Sequence, residues 1–279
     1  MSGFKIGIDG GGTKTHAILV DEENNIIDEC FYGPANIRTN LNLAYNSIVG
    51  AINELITRHS LVSKQVKIGI GVAGYSVKER RDKLFELLNH NYPQIILNSD
   101  CHIACIAAHS GKDGSIIICG TGIVGYYIKD NTTCQIGGWG FPHGDLGSAA
   151  WIGVEICKLT CKAIDGVIKW SPLLIEIFNQ HGKSTSTFKT WLINATPSDF
   201  ATMANLIPQF NTIDPIACQI LDNALNEIIM FTKAVINKTP KLPIKITGGL
   251  APIYLPAIKE RFSQVEISET SSAYGACLL

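Results

Sequence analysis

The chain has 279 residues, of which 46% are hydrophobic, and its 23 Lys and Arg nearly balance its 24 Asp and Glu to give a net charge of −1. This length suffices for two domains with buried cores, and the lack of a basic block in the sequence disfavours a nucleic-acid partner. No apolar run reaches the roughly 20 residues that span a bilayer, and no charged leader with an apolar core opens the sequence, so we expect a cytoplasmic protein without a membrane partner.

The first predicted element is a hairpin over residues 4–20, in which two apolar runs flank three consecutive glycines. Glycine permits a positive φ and lets backbone N–H groups approach an anion. The spacing differs from a Walker motif because Thr13 separates Gly12 from Lys14, and the loop leads into a second apolar run rather than the helix that a dinucleotide motif requires. The stretch therefore predicts a phosphate-binding strand–loop–strand, with an ordinary hairpin that has a flexible tip as the alternative.

The segment that follows predicts a mixed α/β domain. Hydrophobic periodicity predicts strands over 26–32, 66–72 and 94–97 and helices over 41–59, 78–89 and 102–109. The order β-β-β-α-β-α-β-α predicts a sheet that is antiparallel at first and parallel afterwards. The polar turn at 111–114 is the predicted boundary, which gives an N-terminal domain over 1–111 and a C-terminal domain over 112–279.

The C-terminal domain opens with a repeat of the chain's beginning. A strand over 115–119 leads into Gly120-Thr121-Gly122 and then into strands over 123–128 and 132–136. Strand, glycine-threonine loop, strand, turn and strand thus occur twice, about 110 residues apart, which indicates an internal duplication. Two such loops predict two half-sites that hold one polyphosphate between the domains.

The rest of the C-terminal domain combines a second glycine-dense stretch, 137–148, with a helical insertion. Residues 165–240 are predicted to be all helical, with Thr196 capping one helix and Pro197 as its first residue. The remaining predicted elements are a helix over 149–163, a strand over 242–246, a tight loop over 247–250, a helix over 251–262, a strand over 265–267 and a helix over 271–279. This last helix is predicted to pack on the N-terminal domain, and Gly275 within it either permits close packing or lowers its stability.

Nine cysteines are scattered along the chain without a CxxC pair, which favours reduced, mostly buried thiols over disulfides. Cys101 and Cys105, like Cys157 and Cys161, lie one helical turn apart, a spacing that suits metal ligands as well as a helix face. No full set of ligands lies near either pair in the sequence, so core packing is the favoured interpretation.

Three aspartates are candidates for chemistry. Asp100 is the leading candidate for a catalytic carboxylate, because it lies where a predicted strand gives way to a helix, the position at which open α/β sheets contact ligands. The alternative is a helix cap, and a carboxylate that accepts backbone N–H bonds is a weaker base. Asp9, just before the first glycines, is a candidate for holding Mg²⁺ through water, and Asp145 either contacts a polar ligand or stabilises a turn.

Three further residues have two interpretations each. Lys14 either pairs with phosphate or is a solvated charge, and His143 either contacts a substrate or lies on the surface. Trp139 either stacks on a sugar or closes its loop onto the core.

Five segments resemble, in order and at fitting spacing, the N-acetylglucosamine and glucosamine kinase family, a BadF/BadG-type ATPase family within the actin, hexokinase and heat-shock ATPase superfamily. The segments are 7–15, 34–36, 98–100, 119–122 and 137–148. The last segment is the specific one, and the compact length is similar to that of the short bacterial glucosamine kinases. The resemblance implies an α/β fold of two duplicated ribonuclease H-like domains with an interdomain cleft. It also implies ATP-dependent phosphorylation of the 6-hydroxyl of glucosamine or N-acetylglucosamine, with ATP and Mg²⁺ as cofactors.

The resemblance also implies roles for individual residues. Asp100 would be the general base and would contact the sugar together with Asn36, Gly138 and Asp145. The ATP contacts would be Gly11, Gly12 and Thr13 in the first loop, to which we add Lys14, then Gly120, Thr121 and Gly122 in the second loop, and Gly248 and Gly249 near the adenosine.

Three departures from the family pattern bear on activity. Ile123 follows the second loop where the family has Ser, Leu146 replaces an acidic or amide residue, and Cys101-His102 replaces small residues. Two other functions stay open: an ATPase that activates a 2-hydroxyacyl-CoA dehydratase, and a non-catalytic sugar-sensing regulator on a kinase scaffold. The zinc motif of the related repressor and sugar kinase family is absent from the sequence, so we expect no structural zinc, and the sequence leaves open whether the chain forms a homodimer.

Overall fold

The computed structural model describes residues 3–239 and 241–279, which form two five-stranded sheets and the helices around them. In the first sheet, β1 and β2 pair antiparallel, as do β2 and β3, whereas β4 pairs in parallel with β1 and with β5. The strands are β1 (Lys5–Gly10), β2 (Thr15–Val20), β3 (Ile26–Tyr32), β4 (Lys67–Val72) and β5 (Ile95–Ser99), in the spatial order β3-β2-β1-β4-β5. The predicted change from antiparallel to parallel pairing is confirmed.

Three helices connect the later strands of this sheet: α1 (Leu41–Arg58), α2 (Lys78–Asn89) and α3 (Asp100–His109). α1 begins where the Asn40 side chain accepts the Leu43 N–H, and it packs its apolar face into the same core as the sheet. α3 begins at Asp100 rather than at the predicted residue 102, because the Ser99 side chain takes the N-cap position and accepts the His102 N–H.

The second sheet contains the strands of the predicted repeat. They are β6 (Gly114–Cys119), β7 (Ile123–Lys129), β8 (Thr132–Gly137), β9 (Ile244–Thr247) and β10 (Val265–Ile267), in the spatial order β10-β9-β6-β7-β8. β9 and β10 pair in parallel. The strand predicted over 242–246 begins instead at Ile244.

The segment between β8 and β9 is helical, as predicted for 165–240, of which Pro240 lies outside the described residues. One helix begins as predicted: Thr196 and Asp199 form a capping box, and Pro197 is the first helical residue. The helices of the second half are α4 (Ala149–Ile164), α5 (Pro172–Gln180), α6 (Thr185–Asn194), α7 (Pro197–Met203), α8 (Ile207–Phe210), α9 (Pro215–Lys238), α10 (Ala251–Arg261) and α11 (Ser272–Cys277), with a 3-10 turn at Ala204–Leu206.

The described chain divides into two compact units. The first comprises the residues up to Ile116, Tyr126–Cys134 and Ser268–Leu279, and the second comprises Ile117–Gly125 and Gln135–Ile267. The domains predicted from the sequence, 1–111 and 112–279, each begin with one copy of the repeated pattern. This division into domains stays a prediction.

The terminal helix α11 belongs to the first unit, where it packs on β1, β4 and α3. Glycines make this approach possible, because a Cβ at Gly7 or Gly69 would collide with carbonyl groups of α11. Gly275 likewise faces the carbonyl of Ile103. Of the two interpretations of Gly275, close packing is therefore the one that the structure supports.

All nine cysteines are free thiols, and each is buried or half-buried. Over residues 3–239 and 241–279, no group of three or more His, Cys, Asp and Glu side chains is arranged to hold a metal ion. The same part of the chain contains no helix that is both long enough and apolar enough to cross a membrane.

Candidate active site

The first glycine-threonine loop joins β1 to β2 in the first unit and is fastened at its base. The Gly11 N–H donates to the Lys14 carbonyl, and the Ala35 N–H donates to the Gly11 carbonyl, both at 2.9 Å. Residues 12–14, at the tip, are exposed. The tip thus presents its backbone to an approaching ligand while the base keeps its shape.

The glycines of this loop provide space rather than a left-handed backbone, which corrects the expectation of a positive φ. None of Gly10, Gly11 and Gly12 has a φ in the left-handed region. A Cβ at Gly10 would lie 2.9 Å from the Ala35 Cβ, whereas Gly12 has open space around it. The loop is therefore narrow at its base and open at its tip, so that a ligand can approach the backbone closely.

The side chain of Lys14, at the tip of this loop, lies over an aromatic ring. Its Nζ lies 5.2 Å from the centroid of the Phe31 ring, a cation–π contact. The Phe31 ring in turn stacks on His16, with 4.5 Å between the ring centroids. The ammonium group also lies close enough to Asp9 to lower the pKa of that carboxyl group.

Asp9 and Asp100 are two carboxyl groups of the first unit whose pKa values are both raised. Asp9 lies near the end of β1, and Asp100 is the first residue of α3, directly after β5. Burial, and after it the charge of Asp100, raises the pKa of Asp9 to about 7, while Lys14 and a hydrogen bond from Ser272 act in the opposite direction. Paired carboxyl groups with raised pKa values are typical of acid–base and cation-binding sites.

Asp100 does not fill the capping role that was its alternative interpretation. The Ser99 Oγ accepts the His102 N–H at 3.1 Å, whereas Asp100 Oδ1 accepts the N–H of the next residue, Cys101, at 2.9 Å. Burial raises the pKa of Asp100, and the bond from Cys101 opposes that shift. A carboxylate with a raised pKa is a stronger base than an exposed one.

His102, one of the departures from the family pattern, is half-buried beside this carboxylate. Its Nδ1 lies 3.1 Å from the hydroxyl of Tyr126, within the first unit. Burial lowers the pKa of His102. The residue therefore anchors the first turn of α3, the turn that carries Asp100, to β7.

Asn36 forms an isolated parallel β-bridge with Ala73, the residue that follows β4. Its Oδ1 accepts the Arg38 N–H at 3.0 Å, and among the described residues its Nδ2 has no acceptor. The side chain therefore offers a donor that suits a hydroxyl or acetamido oxygen.

The second glycine-threonine loop, residues 120–122, joins β6 to β7 and is fastened to the start of α4 in the second unit. The first two N–H groups of α4, those of Ala149 and Ala150, donate to carbonyl groups of this loop at 3.0 and 3.2 Å. The loop thus lies at the N-terminus of a helix of 16 residues, where the helix dipole favours an anion.

Asp145 lies against this second loop. Its Oδ1 accepts the Ile123 N–H at 3.2 Å, and a Cβ at Gly122 would lie 2.8 Å from its Oδ2. Asp145 itself has a left-handed φ of 63°, and its carbonyl accepts the Ser148 N–H at 2.9 Å. Asp145 therefore joins the glycine-dense stretch to the second loop, a structural role beside the sugar contact predicted for it.

The glycine-dense stretch 137–148 requires glycine at several turns. Gly138 has a φ of 68°, and a Cβ there would lie 2.6 Å from Gln135 Nε2. Trp139 is 85% exposed, so it does not close the stretch onto the core, and stacking on a ligand is the interpretation that stays open. His143 is exposed as well.

The loop before α10 packs on the end of β6. Gly248 has a φ of 98° and contacts the backbone of Cys119, whose carbonyl accepts the Leu250 N–H at 3.0 Å. Gly249 has open space around it. Because Cys119 directly precedes Gly120, this loop, which follows β9, packs on the strand end from which the second glycine-threonine loop starts.

Two hydroxyl groups in these arrangements escaped the sequence analysis. Ser272, in α11, donates a hydrogen bond to Asp9, and Tyr254, in α10, donates one to the Gly147 carbonyl. Both contacts join residues far apart in the chain, so no local motif indicates them. Ser272 follows Ser271, which caps α11, and a serine pair at a helix start predicts a cap and nothing more.

Comparison with known proteins gives a consistent set of relatives. Residues 6–279 match the model of the BadF/BadG/BcrA/BcrD ATPase family. Glucosamine kinase GspK of Vibrio cholerae is 29% identical to this chain over 239 residues, which cover 84% of this chain and 81% of that protein. The N-acetyl-D-glucosamine kinase of Dictyostelium discoideum is 28% identical over 312 aligned positions, covering 98% of this chain and 96% of that protein.

A solved structure shows the same fold. A candidate N-acetylglucosamine kinase of Chromobacterium violaceum is 26% identical and superposes with a TM-score of 0.90 over 99% of this chain and 98% of that one. Together with the two five-stranded sheets, this likeness confirms the predicted α/β class and the actin/hexokinase-like ATPase fold.

Proposed function

The chain belongs to the BadF/BadG/BcrA/BcrD ATPase family, and on that premise we propose that it transfers the γ-phosphoryl group of ATP to the 6-hydroxyl of an amino sugar, glucosamine or N-acetylglucosamine. The relatives named as glucosamine and N-acetylglucosamine kinases support this substrate class. The observation that carries the proposal is the placement of two carboxyl groups with raised pKa values, Asp9 near the end of β1 and Asp100 directly after β5.

Asp100 is the general base of the proposed reaction. Its carboxylate takes the proton of the sugar 6-hydroxyl as the new bond to phosphorus forms, and its surroundings favour the neutral carboxyl group that results. The Cys101 N–H, 2.9 Å from Oδ1, holds the carboxylate in one orientation. Proton transfer by a positioned group contributes on the order of 10²–10⁴-fold to such a step.

Asp9 is the residue that would hold Mg²⁺, directly or through water. Its pKa of about 7 reflects burial and the nearby charge of Asp100, so a dication would relieve an unfavourable accumulation of negative charge. Mg²⁺ takes one or two carboxylates and completes its shell with water and substrate phosphates, so the donor set fits although the described residues contain no three-ligand cluster. When bound, Mg²⁺ supplies neutralisation of phosphate charge.

The two glycine-threonine loops bind the phosphates of ATP in this proposal. The exposed tip of the first loop and the position of the second loop at the start of α4 support that role. The nucleotide contacts are Gly11, Gly12, Thr13, Lys14, Gly120, Thr121, Gly122, Gly248 and Gly249. The sugar contacts are Asn36, Gly138 and Asp145, with Asp100 as both contact and base.

The two other functions have weaker support. An activator of a 2-hydroxyacyl-CoA dehydratase needs exposed cysteines that bridge an iron–sulfur cluster, but all nine cysteines here are buried or half-buried. A sugar-sensing regulator is favoured by Ile123 and Leu146, which replace polar residues of the family pattern.

The free thiols and the use of ATP suit a reducing cytoplasm, and we leave open whether the enzyme is a homodimer.

The test is a coupled assay of ADP release with glucosamine, N-acetylglucosamine, glucose and mannosamine. We expect sugar-dependent ADP release that is fastest with one of the first two sugars. Binding of an amino sugar without ADP release would favour the regulator, and iron in anaerobically purified protein would favour the dehydratase activator.

A further inference from the structure

We propose that Tyr254 is a positioning residue that couples the nucleotide loop of the second unit to its sugar loop. The nucleotide loop is defined as residues 248–250 and the sugar loop as residues 145–148. The inference rests on the proposed function, because the roles of Gly248 and Asp145 are those proposed above.

Tyr254 is tied to the nucleotide loop through its own helix. It is fully buried and lies one turn into α10, whose N-cap is Leu250. The Tyr254 N–H donates to the Leu250 carbonyl at 3.1 Å, and the Ala251 N–H donates to the Gly248 carbonyl at 3.0 Å. The hydrogen bonds of the nucleotide loop therefore continue into those of α10. Because of this continuity, a displacement of the nucleotide loop also displaces the Tyr254 ring.

The phenol hydroxyl of Tyr254 reaches the sugar loop. It donates a hydrogen bond to the carbonyl of Gly147, a buried residue. Gly147 has a φ of 80°, and a Cβ there would lie 3.0 Å from the Ala224 carbonyl in α9. The peptide is thus held between α9 and α10, and removal of the hydroxyl would leave a buried carbonyl without this donor, which is costly.

Asp145 depends on the position of Gly147. The Asp145 carbonyl accepts the Ser148 N–H at 2.9 Å, so residues 145–148 form one turn with Gly147 inside it. Asp145 Oδ1 also accepts the Ile123 N–H at 3.2 Å. A rotation of the Gly147 peptide would therefore displace the carboxylate that is proposed to contact the sugar.

This arrangement predicts that the two substrates bind with positive coupling. A nucleotide that orders residues 248–250 stabilises α10. The hydrogen bond from Tyr254 to Gly147 then stabilises the turn at residues 145–148. Thermodynamic linkage requires the reverse effect to be equally large, so the amino sugar must tighten nucleotide binding by the same factor.

The test compares Tyr254→Phe with a matched control, Tyr92→Phe. Tyr92 is also buried, and its hydroxyl donates to Asn53 at 2.7 Å in the first unit, away from both loops. We expect Tyr254→Phe to raise the KM for the amino sugar about 10-fold, with kcat changed less than about 3-fold. We also expect calorimetry to show that ADP tightens sugar binding in the wild type and does not do so in Tyr254→Phe. The control should change neither quantity. A Tyr254→Phe variant with the wild-type KM and wild-type coupling would overturn the proposal.

Hydrogen exchange tests the same inference without the kinase reaction. In the wild-type protein we expect ADP to slow amide exchange in residues 145–148 as well as 248–250. In Tyr254→Phe the slowing should be confined to residues 248–250. Equal slowing of both loops in the variant would overturn the inference, whereas a wild-type protein that binds ADP but phosphorylates no amino sugar would overturn the proposed function alone.

Discussion

The two glycine-threonine loops share a sequence pattern but differ in what surrounds them. The first loop, residues 10–14, has an exposed tip, contains the charged Lys14 and directly follows Asp9. The second loop, residues 120–122, is held by the first N–H groups of α4 and by the carboxylate of Asp145, which accepts the Ile123 N–H.

This difference indicates how a duplicated pattern divides its tasks. In the first unit the raised pKa values of Asp9 and Asp100 provide groups that can move a proton or hold a cation. In the second unit the carboxylate of Asp145 accepts the backbone N–H of Ile123, which suits orientation rather than proton transfer. The first copy is therefore expected to carry the chemistry, and the second the placement of substrates.

The largest expected effect comes from removing a carboxylate in each unit. Asp100→Asn should lower kcat about 10²–10⁴-fold with nearly unchanged ATP affinity, because it removes the base and keeps the shape of the side chain. Asp145→Asn should raise the KM for the sugar and change kcat far less. Steady-state kinetics with calorimetric ATP binding would distinguish these outcomes, and near-normal turnover in Asp100→Asn would refute the assignment of the base.

A matched pair of glycine substitutions compares the loops directly. A Cβ at Gly122 would lie 2.8 Å from Asp145 Oδ2, whereas Gly12 has open space around it. Gly122→Ala should therefore displace Asp145 and raise the KM for the sugar about 10-fold, besides the effect on the KM for ATP expected of a nucleotide contact. Gly12→Ala should leave the sugar KM and the melting temperature alone and raise the KM for ATP. If Gly12→Ala raised the KM for the sugar as much as Gly122→Ala does, the proposed division of tasks would be wrong.

The pH dependence of stability probes the first unit alone. The pKa of Asp9 is raised from 3.8 to about 7 on folding, so between about pH 4 and pH 7 the folded protein keeps a proton that the unfolded chain has lost. The free energy of unfolding contributed by Asp9 therefore falls as the pH rises through this window.

Asp9→Asn should abolish the fall in the free energy of unfolding that Asp9 causes between about pH 4 and pH 7. Thermal unfolding without ligands should show the variant gaining a few degrees over the wild type at pH 8 and almost none at pH 4. Asp82→Asn, at an exposed position, serves as the control. A difference between Asp9→Asn and the wild type that is the same at both pH values would contradict the assigned pKa.

The smallest expected effect concerns Lys14. Its ammonium group lies over Phe31 at an exposed position, where a single charge contributes little because solvent screens it. Lys14→Ala should raise the KM for ATP about 2–5-fold at low salt, and less at high salt. A salt-independent effect would argue for a structural role of Lys14 in the hairpin.

Local patterns in the sequence were enough for most of the fold. Periodicity located the strands and helices of both sheets, and the Thr196 cap was recognisable because its signal lies within a few residues. The two interpretations of Gly275 stayed open in the sequence, because its contact with Ile103 joins distant segments. The glycines of the first loop were recognised as a feature but misinterpreted, because sequence cannot distinguish a glycine needed for a positive φ from one needed for space.

The parts of the site that escaped prediction depend on contacts between distant segments. Ser272 reaches Asp9 only because α11 returns to the first sheet, and Tyr254 reaches Gly147 only because α10 follows β9 into the second unit. The start of α3 was misplaced for a local reason: Ser99 and Asp100 both suit an N-cap, and the structure uses the first of them.

The return of α11 to the first sheet has a consequence for the order in which the protein can be made. Ile18 and Val20, in β2, are buried in a cluster with Ala273 and Cys277 of α11. During translation the first of these residues leave the ribosome long before the last, so the nascent chain exposes one apolar face of its first sheet until α11 emerges. A chaperone that binds apolar strands could therefore bind this face of the first sheet for as long as α11 has not been synthesised. The first unit, although its synthesis begins first, would be completed last.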